Sequence, residues 1–276
     1  MEEIRIIQER LLEMAKVFHN FCVENDIKYY MCGGTMLGAV RHGGFIPWDD
    51  DMDFCMLRKD YEKLIAMKDK LSGDYSLNFH LSNKNYKYGF CKMYDERTTY
   101  IEVSQATKFI GGVFIDIFPL DNIGNDAEKA RKAQLKIYRR RRIVSGIYQK
   151  GKRTTLVKTL ISGMLQLLPK TQKWFDWPYK VIKKYKGKDT VYVTNVFGSD
   201  KGRGVLPVES FGEPILYHFE DTQLYGLEKY DAYLSICYGD YMTPPPPEKR
   251  VAHSIGYIDF NVPYKKYIEE HKKEKN

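Results

Sequence analysis

The stretch GGTMLGAVRHGGFIPWDDDMDF, residues 33–54, begins with two adjacent glycines and ends with a dense run of aspartates. Four aspartates fall within positions 49–53, and apolar side chains stand beside them at Trp48, Met52 and Phe54. Such apolar neighbours favour buried positions, whereas an acidic run on a solvated surface has no need of them. The stretch therefore predicts carboxylates that are held against a hydrophobic core.

The alternation in residues 51–57, DMDFCML, predicts a strand with Asp51 and Asp53 on one face and Asp50 on the other. Two neighbouring carboxylates repel each other, and an apolar setting raises the cost of their charge. A divalent cation removes this conflict, and Mg²⁺ typically takes one or two protein carboxylates together with phosphate oxygens. Asp116 interrupts another apolar run, so three acids on neighbouring strands could hold two ions for an in-line phosphoryl transfer. A purely structural hydrogen-bonding role for Asp116 stays open.

The glycines lie where a predicted strand at 27–32 gives way to a predicted short helix at 35–40. Backbone amides at the N-terminus of a helix favour phosphate, so Gly33, Gly34 and Thr35 are candidate phosphate contacts. On their own the glycines would also suit a simple tight turn. Their position ahead of the aspartates favours a phosphate cradle that faces a metal site.

Basic side chains are further candidates for contacts to phosphate. Arg41 and His42 lie between the glycines and the aspartates, although His42 is also compatible with an ordinary loop histidine. Lys92 lies on a predicted strand between apolar residues and could steady phosphate charge, or it could extend its ammonium to solvent. Asp49 and Asp50 could support the metal site, cap a turn or pair with Arg41.

The elements around this stretch predict an α/β fold. Apolar residues recur every three or four positions in segment 4–21, which indicates a helix with one buried stripe. Predicted helices and strands alternate up to residue 121, which favours a mixed sheet flanked by helices. The further elements are a helix at 59–71 and strands at 86–95, 98–105 and 111–121. The strands at 86–95 and 98–105 are expected to pair through a turn at Glu96 and Arg97.

The middle of the chain has a different character. Residues 127–150 are a strongly basic helical stretch that contains RRRR, and residues 155–168 form an apolar helical stripe too short to span a bilayer. Residues 173–185 interleave aromatics with lysines, and the proline-rich segment 241–254 is expected to be extended. The region 127–185 either contacts an anionic membrane, or its stripe is core and its arginines are solvated or bind acceptor phosphates.

Composition limits the function classes. The chain of 276 residues has a net charge of +8, which favours polyanionic partners, and 22 tyrosines, which suit clefts or interfaces. Its five cysteines are dispersed, so neither a disulfide framework nor a standard zinc site is indicated, and a cytoplasmic protein with reduced thiols is expected. Neither a signal peptide nor a transmembrane segment is predicted. Because the sequence contains no recognised nucleic-acid module, the basic run does not predict a nucleic-acid partner.

The stretch at 33–54 resembles the signature of the LicD/fukutin family of phosphotransferases. FIDIFPLD at 114–121 and YGDYMTPPPPEKRVAHS at 238–254 are similar to further blocks of that family. The resemblance implies a nucleotidyltransferase-like fold. It divides the chain into a catalytic core at 1–124, a basic helical region at 125–190 and a part at 191–276 that completes the cleft.

The resemblance also implies the reaction. LicD-type enzymes transfer phosphocholine from CDP-choline to a sugar of a bacterial cell-surface glycan such as teichoic acid or lipopolysaccharide, and fukutin-like members transfer other CDP-linked phospho-alcohols such as ribitol phosphate. The acceptor would be lipid-linked at the inner face of the cell membrane. The alternatives are a nucleotidyltransferase and a transferase of ribitol or glycerol phosphate. The cysteines do not match the zinc-binding insertion of some animal relatives, which favours a compact bacterial type.

The predicted site follows from both arguments. One or two Mg²⁺ ions, with Mn²⁺ as the alternative, are expected on Asp51, Asp53 and Asp116, with Asp49 in support. The catalytic candidates are Asp51, Asp53 and Asp116. The substrate-binding candidates are Gly33, Gly34, Thr35, Arg41, His42, Trp48, Lys92 and His253. A choline head group would need an aromatic cage, for which Trp48, Tyr29, Tyr94 and Tyr241 are candidates.

Overall fold

The computed structural model describes residues 2–71, 73–79, 86, 88–102, 110–148, 156–169, 171, 173–198, 204–250, 252 and 255–273. These residues contain eight helices and twelve strands. Helices pack against a mixed sheet around a main hydrophobic core, and α4 packs on a second, smaller buried cluster, so the predicted α/β class is confirmed.

The main sheet has one parallel pair at its centre. Its strands run in the order β1 (Tyr30–Met31), β2 (Asp53–Leu57), β7 (Phe114–Gly124), β4 (Cys91–Asp95) and β3 (Tyr75–Asn78), and β8 (Tyr192–Asn195) with β9 (Val205–Pro207) extends it from β7. Only the pair of β2 and β7 is parallel among these described strands. Two smaller sheets complete the strands: β10 (Ile215–Phe219) with β11 (Thr222–Gly226), and β5 (Thr99–Glu102) between β6 (Ile110–Gly111) and β12 (Ile255–Asp259).

The helices follow the apolar periodicity of the sequence. They are α1 (Glu2–Glu24), α2 (Gly33–His42), α3 (Arg58–Ala66), α4 (Ala127–Tyr148), α5 (Leu156–Gln166), α6 (Lys173–Tyr179), α7 (Tyr230–Tyr238) and α8 (Tyr264–Lys273). The stripe of α1 is buried, and the ring of its Phe18 lies 4.9 Å from that of Phe54 in β2. This packing fixes the strand that carries the aspartates, because removing apolar surface from water is the main stabilising term. None of the helices in the described ranges is both long and apolar enough to cross a membrane.

Several predicted boundaries and one predicted pairing are wrong. The predicted helix 59–71, for example, ends at Ala66 in the structure. β1 occupies two residues of the predicted strand 27–32, and α2 begins at Gly33 instead of Thr35. β4 and β5, the described strands within 86–95 and 98–105, do not pair with each other, because β4 joins the main sheet and β5 joins the sheet of β6 and β12.

The corner between β4 and β5 explains that separation. The Asp95 carboxylate accepts hydrogen bonds from the backbone and the guanidinium of Arg97, and the Asp95 amide donates to Val113 O at 2.8 Å. Thr98 donates its hydroxyl to Asp95 O and accepts the Val113 amide through the same oxygen. These bonds turn the chain out of the sheet instead of closing a hairpin.

Candidate active site

Three chemically active residues stand in register on three adjacent strands. Asp53 at the start of β2 is directly opposite Asp116 of β7, and Asp116 is directly opposite Lys92 of β4. Residues directly opposite each other in a sheet project to the same face. The topology therefore places two carboxylates and one ammonium in a row across the centre of the sheet.

Lys92 is buried and paired. Only 2% of the residue is exposed, and its Nζ lies 2.7 Å from Asp116 Oδ1. The Nζ also lies 3.3 Å from the centroid of the Phe114 ring and 4.6 Å from that of Tyr88. Aromatic faces attract cations, and a buried charge needs such partners. The alternative of a solvent-exposed lysine is wrong.

The carboxylates around Asp53 act strongly on one another. Burial, followed by the negative charges of Asp51, Asp116 and Asp49, raises the pKa of the Asp53 carboxyl well above its usual value, and Lys92 opposes the shift. The predicted strand start at 51 is wrong, because β2 begins at Asp53 and Asp51 lies before it. The charge of Asp51 nevertheless acts on Asp53 more strongly than the charges of Asp116 and Asp49. Asp50, predicted on the opposite face, is 6% exposed. The site therefore concentrates negative charge that a cation would relieve.

The two glycines let these carboxylates approach the first turn of α2. Gly33 has a φ of +56°, and a Cβ added there would lie 2.9 Å from Asp53 Oδ2. A Cβ added at Gly34 would lie 2.5 Å from Asp49 Oδ2. The N-terminal end of a helix attracts negative charge, so this placement is favourable. The space beside the glycines thus holds the carboxylates, where the sequence predicted phosphate alone.

Two hydroxyl groups hold the backbone of this junction. Thr35 Oγ1 accepts the Asp53 amide at 2.8 Å, which ties α2 to the start of β2. The Tyr233 hydroxyl, from α7, accepts the Gly33 amide at 2.9 Å. Tyr233 was missed from the sequence, because a residue 200 positions away gives no local signal of this contact.

The segment after α7 lies against the other candidates. Arg41 donates to Tyr241 O at 2.7 Å, and the guanidinium of Arg250 lies 5.0 Å from the Trp48 ring centroid. His42 is exposed, and its ring meets Trp48 edge-on at 6.4 Å. Burial, and then the positive charge of Arg41, lowers the pKa of His42. Arg250 was not foreseen, and His253 lies outside the described residues.

The structure narrows the candidates for an aromatic cage. Tyr29 is fully buried between Phe18 and Phe54, and Tyr94 is 2% exposed, so both belong to the interior and the expectation for them is wrong. Tyr241 donates its hydroxyl to Asp231 at 2.7 Å. Trp48 already faces a cation, because Arg250 is stacked on it.

The residues fit Mg²⁺ through charge. Within the described ranges, no group of three or more His, Cys, Asp and Glu side chains is arranged to hold a metal ion. Mg²⁺ does not need such a group, because it usually binds one or two carboxylates and keeps water or phosphate oxygens. Asp53 and Asp49, which both approach the first turn of α2, would supply such carboxylates.

Comparison with known proteins identifies the domain that carries this site. Residues 26–144 match the family model described as LicD/FKTN/FKRP, nucleotidyltransferase domain. The chain is also 29% identical over 267 residues to the lipopolysaccharide cholinephosphotransferase LicD of Haemophilus influenzae, with 92% of this chain and 98% of that protein covered. The chain therefore resembles the LicD family, in this domain and along most of its length. The matched residues 26–144 include α2 and all three strands of the Asp53, Asp116 and Lys92 row.

Shorter matches connect this chain to other proteins. It is 38% identical over 50 residues to the ribitol 5-phosphate transferase FKRP of Homo sapiens, which covers 18% of this chain and 10% of that protein. It is 46% identical over 50 residues to the uncharacterized protein RP689 of Rickettsia prowazekii, which covers 18% and 19%. Matches of this length support the family and carry no statement about the whole of those proteins.

Proposed function

We propose that this chain is a phosphotransferase that moves a phospho-alcohol, phosphocholine from CDP-choline, onto a sugar hydroxyl of a bacterial cell-surface glycan precursor. The observation that carries the proposal is the row of Asp53, Asp116 and Lys92 beside the glycines of α2. The LicD relative that aligns with 92% of the chain supports phosphocholine as the group and a lipopolysaccharide-type glycan as the acceptor.

The site residues divide the work as follows. Asp51 and Asp53, with Asp49 in support, would hold Mg²⁺, which when bound would neutralise the diphosphate of the donor and the departing CMP. Asp116, held by Lys92 at 2.7 Å, orients the acceptor hydroxyl and takes its proton. The hydroxyl oxygen attacks the phosphorus next to choline, the new P–O bond forms, and the bond to CMP breaks in line.

A nucleotidyltransferase is the second candidate, because the matching family model is described as a nucleotidyltransferase domain. Such an enzyme would use the same carboxylates but would leave the nucleotide on the acceptor. The mass of the modified acceptor separates the two reactions, since phosphocholine and CMP add different masses.

A donor panel tests the proposal. The protein is incubated with Mg²⁺, a glycan acceptor and, separately, CDP-choline, CDP-ribitol or CDP-glycerol, and CMP release is measured with the mass of the product. We expect CMP release with CDP-choline and an acceptor that gains phosphocholine. CMP release with CDP-ribitol alone would show that the transferred group is ribitol phosphate and not phosphocholine. An acceptor that carries the nucleotide would show that the chain is a nucleotidyltransferase.

A further inference from the structure

The positive charge of the chain is concentrated in one segment. The 47 residues at 129–175 contain fourteen Lys or Arg and no Asp or Glu. Because the whole chain has a net charge of +8, the rest of it carries −6. This segment includes most of α4, all of α5 and the start of α6. The charge asymmetry indicates that the segment faces a polyanion.

The α5 helix and the turn that follows it leave large apolar side chains in solvent. The exposed fractions are 62% for Leu160, 51% for Ile161, 70% for Met164 and 86% for Leu167. On its other side the helix is packed against α4, since a Cβ added at Gly146 would lie 2.8 Å from Leu165 Cδ1. Contiguous exposed apolar groups of this kind mark an interaction site.

The arginine run of α4 divides into two pairs. Arg140 donates to Trp177 O at 2.8 Å with its guanidinium 5.0 Å from the Trp177 ring, and Arg141 donates to the carbonyls of Phe197 and Gly198. These two residues hold α4 against its neighbours. Arg139 and Arg142 are exposed instead, and so are Leu135 and Ile143 on the same helix. The exposed part of α4 therefore combines cationic and apolar groups as well.

We propose that α4 and α5 form a docking surface for an anionic lipid bilayer, with Leu160, Ile161, Met164 and Leu167 in the acyl boundary and Arg139 and Arg142 near the headgroups. A second copy of the chain would bring the same positive segment against itself, which repels. A nucleic acid would satisfy the arginines but would not bury four aliphatic side chains. A bilayer with anionic lipids does both. This inference goes beyond the proposed function and does not depend on it.

Vesicle co-sedimentation tests the surface with the full chain. Vesicles of phosphatidylcholine alone and of phosphatidylcholine mixed with phosphatidylglycerol are compared at low and at high salt. We expect binding to the anionic vesicles that weakens as salt rises, because screening shortens the reach of the arginines. Equal binding to both vesicle types, or binding to neither, would overturn the proposal.

Two matched pairs of variants locate the contact. Met164→Gln/Leu167→Gln should bind anionic vesicles about tenfold more weakly or worse, since it removes two apolar groups that the bilayer would bury. Val23→Gln, exposed by 50% on α1, should bind like the parent. Arg139→Gln/Arg142→Gln should lose most of the salt-dependent binding, and Lys229→Gln should not. Circular dichroism melts verify that each variant is folded. Unchanged binding by both double variants would place the contact elsewhere and overturn the proposal.

Other occupants of the surface give different results. If the parent dimerises in sedimentation velocity and Met164→Gln/Leu167→Gln is monomeric, the surface is an interface between copies and the proposal is overturned. The proposal is also overturned if the parent binds single-stranded RNA of random sequence but not anionic vesicles, and Arg139→Gln/Arg142→Gln abolishes the RNA binding.

Discussion

Gly34 lies where a helix meets a carboxylate. In a helix interior, alanine is more stable than glycine by about 0.5–1 kcal/mol. The added Cβ would, however, lie 2.5 Å from Asp49 Oδ2 and displace that carboxylate. We therefore expect Gly34→Ala to weaken the binding of Mg²⁺ severalfold in calorimetric titration. Gly163→Ala in α5, with nothing within 4 Å of its added Cβ, should gain about 0.5–1 kcal/mol of unfolding free energy and leave Mg²⁺ binding unchanged.

Asp53 gives the sharpest test of the metal site. Its charge is opposed by burial and by three neighbouring carboxylates, so Asp53→Asn should leave the melting temperature of the metal-free protein unchanged or higher. The same variant should lose the thermal stabilisation by Mg²⁺ and the release of CMP. Asp51→Asn should behave in the same way. The control Asp69→Asn, at an exposed aspartate, should keep both properties. Full turnover by Asp51→Asn and Asp53→Asn would refute the metal role.

Lys92 and Asp116 are best separated by a double-mutant cycle. Removing one partner of a buried ion pair costs about 3–5 kcal/mol, whereas removing both is often close to neutral. We expect Lys92→Met to lose stability of that order in denaturant unfolding, and Lys92→Met/Asp116→Asn to recover more than half of it. Activity should stay lost in the double variant, because Asp116 is needed for the transfer itself. Recovered activity would reduce the pair to a structural role.

At the scale of the element, alternation predicted where strands occur but not which strands pair. The alternation in segments 86–95 and 98–105 predicted a strand in each, and strands β4 and β5 lie within these two segments. Their partners are chosen by side-chain hydrogen bonds of Asp95 and Thr98, which no periodicity encodes. The carboxylate row was foreseen because it depends on local apolar neighbours. The ion pair of Lys92 was not, because it depends on the register of β4 on β7.

The arginines of α4 show the same limit and lead to a prediction. Four consecutive arginines are equivalent in the sequence, but only Arg140 combines a bond to a carbonyl with a stacked indole, that of Trp177. We expect Arg140→Ala to lower the unfolding free energy by about 1–2 kcal/mol, since it removes a charged hydrogen bond and a cation–π contact. Arg142→Ala, at an exposed position, should change it by less than about 0.5 kcal/mol. Urea unfolding of both variants measures the difference, and equal losses would contradict the assignment.

At the scale of the whole molecule, the last third of the chain closes around the first. Tyr233, Tyr241 and Arg250 contact Gly33, Arg41 and Trp48 across about 200 residues of sequence. The sequence motif at 33–54 already indicated Gly33, Arg41 and Trp48. Tyr241 and Arg250 were indicated only as part of the family block at 238–254, and Tyr233 was not indicated. The long-range contacts themselves are products of folding, because apolar burial of α7 against the core brings the tyrosines to the motif.

Tyr233 makes this closure testable. Tyr233→Phe keeps the buried ring, which is 6% exposed, but leaves the Gly33 amide without its hydroxyl acceptor. An unsatisfied buried amide costs about 1–3 kcal/mol, so the unfolding free energy should fall by that order. The first turn of α2 would also loosen beside Asp53, so Mg²⁺ should bind more weakly. Tyr241→Phe, which removes only an exposed hydrogen bond to Asp231, serves as the matched control, and its unfolding free energy should change by less than about 0.5 kcal/mol.

The two readouts separate a structural role from a role in the site. If Tyr233→Phe lost stability but bound Mg²⁺ like the parent, the hydrogen bond from Gly33 to Tyr233 would stabilise the fold without positioning the site. If hydrogen exchange of the amides at 33–37 then rose together with the loss of Mg²⁺ binding, the hydroxyl of Tyr233 would be part of what positions the carboxylates.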